Sequence, residues 1–328
     1  MNTNITQKLS CVILALGSAL AGQAFAQAAY PQQAIKMLVG HQAGSAPDIA
    51  ARAYSEPMSQ LLKQPIMVDN RPGAGGQLAT NVAAKAPADG YTVLVGDIGA
   101  IAIAPAAYAR TLPYKPDVEL RAIAELARNS FVFVTSARKG AKTVKQFVAD
   151  ARRSQNPVPV GTSGPGTIIH YGAELFASAG GFKIEPVHYR NIGEAVTALI
   201  NGDIAGAFLT PALVAPYIKA GSLQAIAIST GKRSPQLPDV KTFEQAGLPG
   251  VEFSAWLTLF APAKVSDAVV DELAQAVSKI AADPAVKNRL VDLGFEVTGL
   301  SHKETVEFVR AEQARWTGVT KKINFRAD

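Results

Sequence analysis

The sequence predicts an α/β protein of two lobes with a ligand cleft between them. Three observations carry that reading. Short runs rich in Val, Ile and Leu alternate with amphipathic stretches of helical period for most of the chain. Two loops dense in small and hydroxyl-bearing residues, 42–48 and 161–167, each stand between such a run and such a stretch, one in each half. The 328 residues suffice for about two domains with separate cores.

In order, Ile35-Lys36-Met37-Leu38-Val39 reads as the first strand. The loop 41–46 follows, and Pro47 suits the first turn of a helix over 48–62, where its missing N–H leaves no partner unpaired. Pro65-Ile66-Met67-Val68 is the next strand, and Asn70-Arg71-Pro72-Gly73-Ala74-Gly75-Gly76 connects it to a helix ending near Ala86. Asp89-Gly90 marks a turn before a buried strand, Thr92-Val93-Leu94-Val95. This grammar predicts a parallel sheet with helices on both faces. Residues 101–121, with Pro105, Pro113 and Pro116, read as irregular. A second unit follows, with strands at 131–134, 158–160, 185–188, 204–209 and 223–229. Its helices span 143–153, 168–179, 192–201 and 212–220, and Gly202 is placed to stop the third of them in a left-handed turn. Beyond the irregular 231–250 come a strand at 256–260 and helices over 267–282, 284–293 and 301–322, the last opened by the capping box Ser301-x-x-Glu304. The chain thus enters the second lobe and returns to the first, giving lobe 1 as 27–125 plus 228–328 and lobe 2 as 126–227. A ligand belongs where strand C-termini and helix N-termini of both lobes meet.

Composition narrows the class. Hydrophobic residues at 48% and charged residues at 18% exclude a disordered chain. A single Cys excludes a disulfide scaffold and a thiolate metal site. That residue, Cys11, lies in a segment with Lys8, an apolar stretch over 9–21 and the processing pattern Ala24-Phe25-Ala26. These are the marks of a secretory signal peptide, residues 1–26, and the stretch is too short and too broken by Ser10, Ser18 and Gly22 for a membrane anchor. The net charge of +6 is scattered, with short basic pairs at Arg152-Arg153, Lys232-Arg233 and Lys321-Lys322. No basic stripe interleaved with aromatics is present, so a small anion fits better than nucleic acid.

The catalytic motifs fail. Gly161-Thr162-Ser163-Gly164-Pro165 has proline where G-x-S-x-G needs glycine. Thr167 stands at the lysine position of a phosphate loop, and Gly73-x-Gly75-x-x-Leu78 lacks the third glycine of a dinucleotide loop. His41, His170, His188 and His302 have no metal-ligand spacing. Ser163 and His170 can be drawn as a nucleophile pair, but polar side chains beside a loop and helix start is the plainer reading. No catalytic residue, metal or cofactor is expected. As anion cradles the two loops make sense: glycines expose backbone N–H groups, hydroxyls add donors, and a helix N-terminus points its free N–H groups and dipole at the loop. A hydrogen bond to a charged acceptor contributes about 1.5–3 kcal/mol, and four or five of them on a carboxylate support roughly micromolar binding. The competing reading is that glycine-rich strand–helix turns are common to all α/β proteins.

Several strings carry a family resemblance. Tyr30-Pro31, Lys36-Met37-Leu38-Val39 and the Ala43-Gly44 loop closed by Asp48 resemble the opening of the Bug proteins, the periplasmic solute-binding components of tripartite tricarboxylate transporters. Asp69-Asn70-Arg71-Pro72-Gly73-Ala74-Gly75-Gly76 and Lys85-Ala86-Pro87-Ala88-Asp89-Gly90-Tyr91-Thr92 are similar to the family's most distinctive strings. So are Leu112-Pro113-Tyr114, the 161–167 loop with His170, Val187-His188-Tyr189, the string from Lys232 to Val240, and Ala246-Gly247-Leu248-Pro249-Gly250. The resemblance spans essentially the whole chain after the leader.

It implies a type II periplasmic-binding fold, α/β and two-lobed, that closes on a small carboxylate or related amide and presents it to a membrane permease of the tripartite tricarboxylate type. It implies a periplasmic, monomeric, non-enzymatic protein. The site residues it implies are His41, Gln42, Ala43, Gly44, Ser45 and Asp48 in the first loop and Ser163, Gly164, Gly166, Thr167 and His170 in the second. A third wall is Gly96, Asp97, Ile98 and Gly99, and a fourth Thr210 and Pro211. Three departures bear on specificity: His41-Gln42 where relatives carry proline or phenylalanine, Asp97 in a loop usually neutral, and Thr210-Pro211 where many have an acidic residue and asparagine. An acidic Asp97 in the cleft would repel a second carboxylate or receive an amino or amide group; equally, it caps the segment that follows. Two other functions stay open at this point: an extracytoplasmic sensor docking to a receptor kinase, and an exported hydrolase using Ser163 and His170.

Overall fold

The computed structural model describes residues 30–189 and 191–322; the expected signal peptide lies outside them. In chain order the elements begin β1 (Ile35–Val39), α1 (Ala46–Leu62), β2 (Ile66–Asn70), α2 (Gln77–Ala84) and β3 (Thr92–Asp97). There follow α3 (Ala104–Ala107), α4 (Pro116–Glu119), β4 (Leu120–Asn129), β5 (Val132–Ser136), α5 (Val144–Arg153), β6 (Val158–Thr162), α6 (Ile168–Gly180) and β7 (Ile184–His188). The rest are α7 (Glu194–Asn201), β8 (Gly206–Leu209), α8 (Pro211–Lys219), β9 (Leu223–Ile228), β10 (Ala255–Pro262), α9 (Asp267–Ala281), α10 (Pro284–Asp292) and α11 (His302–Lys322). Pro47 sits in the first turn of α1, Gly202 closes α7 at φ 83°, and Ser301 and Glu304 form the expected reciprocal cap, with the Ser301 N–H donating to Glu304 Oε2 at 2.9 Å.

Two five-stranded sheets result, ordered β2-β1-β3-β10-β4 and β7-β6-β8-β5-β9. β1 pairs in parallel with β2 and β3, and β6 with β7 and β8. β10 runs antiparallel to β3 and β4, and β5 antiparallel to β8 and β9. The parallel sheet predicted is therefore mixed. β10 arrives directly from the other lobe, without a crossover helix to impose a parallel return.

The largest departure from the sequence reading is β4. Residues 101–121 read as irregular, yet Gly99–Ile103 form a π-type turn, α3 and α4 are four-residue helices, and a ten-residue strand starts at Leu120. Its composition, rich in Leu, Ala, Arg and Glu, favours helix. It carries no alternation because both faces are covered and most positions are buried. Its buried Glu125 takes both Arg128 nitrogens at 2.7 and 2.8 Å and the Thr298 hydroxyl at 2.5 Å, so the charge is paired where water is excluded.

The second lobe packs around phenylalanines. The Phe133 ring on β5 meets Phe147, Phe176 and Phe208 at 4.9, 4.8 and 4.9 Å. Phe208 continues the cluster to Phe253 at 4.9 Å, on the segment returning to β10. The two connections between the sheets are tied at Ser229, which is fully buried. Its N–H donates to Phe131 O at 2.8 Å, its hydroxyl accepts from the Phe131 N–H at 3.0 Å and donates to Phe253 O at 2.8 Å, and its carbonyl accepts from the Phe253 N–H at 2.7 Å.

Candidate functional site

A cavity of about 640 Å³ lies between the lobes, at the carboxyl ends of β1, β3 and β6. From the first lobe it is lined by His41, Asp97, Ile98 and Gly99, and from the second by Ser163, Gly164, Gly166 and Thr167. These predicted residues are brought together. Ligands of open α/β sheets sit at such strand ends, and the size is that of a small-molecule site. A second cavity, of about 340 Å³, lies beside Ser136, Lys139, Phe147 and Val158 in the second lobe and contains none of the predicted residues.

The second-lobe loop is held open by its glycines and hydroxyls. Gly164 and Gly166 adopt φ 127° and 72°, conformations that only glycine enters freely. Thr167 is the N-cap of α6: its hydroxyl accepts from the His170 N–H at 3.4 Å and donates to Gly164 O at 2.8 Å, and Ser163 Oγ donates to Thr167 Oγ1 at 3.1 Å. His170 does not line the cavity. It is buried behind the loop, where Nδ1 accepts the Gly166 N–H at 3.1 Å. Burial, reinforced by His188, pushes its pKa down to about 4. Ser163 Oγ and His170 Nδ1 thus both serve the loop rather than each other, which removes the geometry a nucleophile–base pair needs.

The first-lobe loop is organised around a carboxylate that the sequence placed in the cleft. Asp48 is buried; it accepts the Gly44 N–H at 2.8 Å, both oxygens contact Arg52 Nε at 3.0 Å, and Asn70 Nδ2 donates to it at 2.9 Å. Burial alone would raise its pKa, but Arg52, Gly44 and Asn70 outweigh burial and lower it. Asp48 therefore folds the loop, and neither it nor Gln42, Ala43, Gly44 or Ser45 lines the cavity. Gly96 is packed beneath the Phe260 ring, where an added Cβ would lie 2.8 Å away. Thr210 and Pro211 begin α8 outside the cavity; the next residue, Ala212, abuts the turn at Gly294.

His41 and Asp97 meet at the first-lobe wall. His41 Nε2 lies 2.8 Å from Asp97 Oδ2, while Asp97 Oδ1 accepts the N–H groups of Gly99 and Ala100 at 2.7 and 3.1 Å. Burial would lower the His41 pKa, but the hydrogen bond and charge of Asp97 together win and raise it. Gly76 leaves room for the pair: a Cβ there would stand 2.8 Å from Asp97 Oδ2 and 3.3 Å from His41 Nε2.

Sequence reasoning missed Gln77, Tyr108, Ile103, Ala104, Asn129, Ala255 and Leu257 as lining residues. The last three depend on strand order: Leu257 registers with Asp97 and Ala255 with Asn129, so β10 threads the floor between β3 and β4. No local signal announces that register. Ala74 and Gly75 also line the cavity, and they belong to the string that carried the resemblance.

Fold and cavity together define a two-lobed α/β binding protein with its site between the lobes. Residues 50–325 match the tripartite tricarboxylate transporter family receptor, TctC. A protein from the ttuE–ttuC′ intergenic region of Agrobacterium vitis is 33% identical over 282 residues, 86% of this chain and 81% of that one. A solved periplasmic transporter superposes with TM-score 0.79 at 32% identity, covering 92% of this chain and 100% of the other. A Rhodopseudomonas palustris protein solved with adipate gives TM-score 0.78 at 28% identity, covering 90% and 99%. The chain belongs to the TctC, or Bug, family, and is a periplasmic solute-binding protein of a tripartite tricarboxylate transporter. Among the described residues, no helix is long and apolar enough to cross a membrane and no cluster of His, Cys, Asp and Glu could hold a metal ion.

Proposed function

We propose that this protein captures a small carboxylate between its lobes and hands it unchanged to the membrane permease. The carrying observation is that the Ser163–Thr167 loop, at the N-terminus of α6, opens on the same cavity as His41 and Asp97 of the other lobe. The Gly164 N–H and the N-terminal end of α6 are the donors for a carboxylate head group, while the Gly166 N–H and the Ser163 and Thr167 hydroxyls hold the loop in the shape that presents them. An apolar body suits the rest of the lining, which includes Ile98, Ile103, Ala104, Tyr108 and Leu257. The relative solved with adipate, a carboxylate of that size, supports this class of ligand. The lobes close about the two connections tied at Ser229. The protein acts as a monomer, exported with loss of residues 1–26, and breaks no bond. Ser163 and His170 are engaged in holding the loop, which favours binding over hydrolysis.

Titration calorimetry and thermal shift against a carboxylate panel test this. A ligand at about 100 times its dissociation constant adds about 2.7 kcal/mol of stability. Thr167→Val, which removes the cap of α6 and the hydroxyl that holds the loop to Gly164 O, should weaken binding about tenfold or more through the lost loop geometry. Absence of any carboxylate binding, or recovery of a hydrolysed product, would defeat the reading.

A further inference from the structure

The second cavity stands at the pole of the second lobe opposite the cleft. Its lining includes Ser136 at the end of β5, Val158 and Pro159 at the start of β6, and Ile204 ahead of β8. The cleft opens at the other end of β6, beyond Thr162. Five residues of strand separate the two, about 16 Å. The pole cavity, about 340 Å³, is at the small end of the range for organic ligands. Its walls are apolar at Phe147, Val158 and Ile204, all buried. The Phe147 ring is held from behind, edge-on to Phe133 at 4.9 Å and stacked with Phe176 at 5.4 Å. The space persists because Ala141, Ala151 and Ala205 line it where larger aliphatic side chains would fill it. One ammonium lines the mouth. The Lys139 stem crosses Gly202, where an added Cβ would lie 2.8 Å from Lys139 Cδ, and Nζ donates to Asn201 O at 2.5 Å. That contact uses one of its three donors. Between residues 136 and 154 stand Arg138, Lys139, Lys142, Lys145, Arg152 and Arg153 against Asp150 alone, so this stretch carries +5 of the chain's net +6. All six basic side chains are exposed. Asp150 also lines the cavity, but Arg153 pairs with it at 2.6 Å.

We propose that this pole cavity is a second ligand site, which takes a small aromatic monocarboxylate with its ring against Phe147 and its carboxylate on Lys139. Aromatic rings pack on one another in stacked or edge-on arrangements, and Phe147 offers a ring already fixed in place. The carboxylate stays at the mouth, where the Lys139 ammonium meets it in a charge-assisted hydrogen bond. The surrounding basic residues draw the anion in, with a strength that salt weakens. A second carboxylate has no place here: inside, it would be buried against apolar walls, and at the rim it would face Asp150. The site goes beyond capture in the cleft, with which it shares no lining residue.

The test is a titration of the full-length processed protein, labelled at its alanine methyls, followed by NMR. The probes are benzoate, its uncharged isostere benzamide, and acetate, at about pH 7, where both acids are ionised. Benzoate should shift the Ala141, Ala151 and Ala205 methyls together through its ring current, and the shifts should saturate with a dissociation constant of about 1 mM or tighter. Benzamide should bind at least about tenfold more weakly, and acetate should not saturate these signals. Lys139→Met keeps the stem over Gly202 and removes the ammonium; it should weaken benzoate about tenfold, the loss of one charge-assisted hydrogen bond. Ala151→Leu fills the cavity and should abolish the shifts at Ala141 and Ala205, and Lys139→Met stands in for it should the larger side chain disturb folding. Thr167→Val, which alters the cleft loop, should leave the pole binding unchanged. Benzoate that moves none of the three methyls, equal affinity for benzamide, or wild-type binding in Lys139→Met would overturn the proposal. So would shifts that survive in a folded Ala151→Leu or that vanish in Thr167→Val, since both would place the ring elsewhere. Carboxylate capture in the cleft stands or falls separately, on its own titrations.

Discussion

Trp256 and Trp316, the two tryptophans of the chain, donate their indole N–H groups to the same oxygen of Glu312, each at 3.0 Å. Both rings are fully buried. Trp256 lies on β10 in the first lobe; Trp316 lies on α11 and meets the Tyr171 ring of α6 edge-on at 5.8 Å. Arg315 donates to the other oxygen of Glu312 at 3.0 Å. One carboxylate thus pins α11 to the first sheet and sets a tryptophan against the helix that carries the second-lobe loop.

Glu312→Leu should destabilise the protein by about 2–5 kcal/mol, since two buried indole donors lose their acceptor. Glu312→Gln keeps an acceptor and should cost about 1–2 kcal/mol through the weakened Arg315 contact. Urea unfolding followed by tryptophan fluorescence measures both. Equal costs for the two variants would show that the charge, not the shared acceptor, matters.

Ser229 links the two interlobe connections through side chain and backbone together. Ser229→Ala leaves the Phe131 N–H without its buried acceptor and should cost about 1–3 kcal/mol. Ser229→Thr keeps the hydroxyl but adds a methyl at a fully buried position, so it should cost about as much through overpacking. If Ser229→Ala leaves the urea midpoint unchanged, the serine is not what ties the connections.

The sequence pattern reveals most of the elements here because strand and helix periods differ, and because Pro47, Gly202 and the Ser301–Glu304 pair mark helix ends chemically. It hides β4 because a strand covered on both faces has no alternation, and Leu120 to Asn129 is built of helix formers. It locates His41, Asp97 and the 163–167 loop because each follows a parallel strand. It misplaces Asp48 because a carboxylate in a binding loop and a carboxylate folding that loop look alike in sequence; only Arg52 and Asn70, reaching it from a helix turn and a neighbouring strand, distinguish them. Asn129, Ala255 and Leu257 stay hidden because pairing of β10 with β4 joins residues more than a hundred positions apart.

Two glycines separate close packing from chain freedom. A Cβ on Gly206 would lie 2.1 Å from the tip of Phe133, whose ring is held by Phe147, Phe176 and Phe208. Gly206→Ala should therefore cost about 1–3 kcal/mol or more. Gly318, inside α11, has nothing within 4 Å of such a Cβ. Gly318→Ala should stabilise by about 0.5–1 kcal/mol. Thermal melts of the two variants should move in opposite directions.

His170 gives the protein an acid limit at its second-lobe loop. It is 7% exposed, and Nδ1 must stay unprotonated to accept the Gly166 N–H. The groups facing it are His188, at 5.4 Å between ring centroids, and Glu174, 3.8 Å from Nε2, whose own pKa burial raises. Burial first and His188 second hold its pKa at about 4, whereas the unfolded chain titrates near about 6.5. Between those values the unfolded state binds a proton that the folded state refuses. The stability present above about pH 6.5 therefore declines as pH falls, by roughly 1 kcal/mol per unit, until folded His170 itself protonates. His170→Asn supplies an acceptor for Gly166 without titrating. Relative to wild type it should gain roughly 1–2 kcal/mol on going from about pH 7 to about pH 5, read as a difference in urea midpoints. The opposite shift at His41 is common to both proteins and cancels in that difference. Identical pH dependence in the two would show that His170 takes up its proton in the folded state as readily as in the unfolded chain.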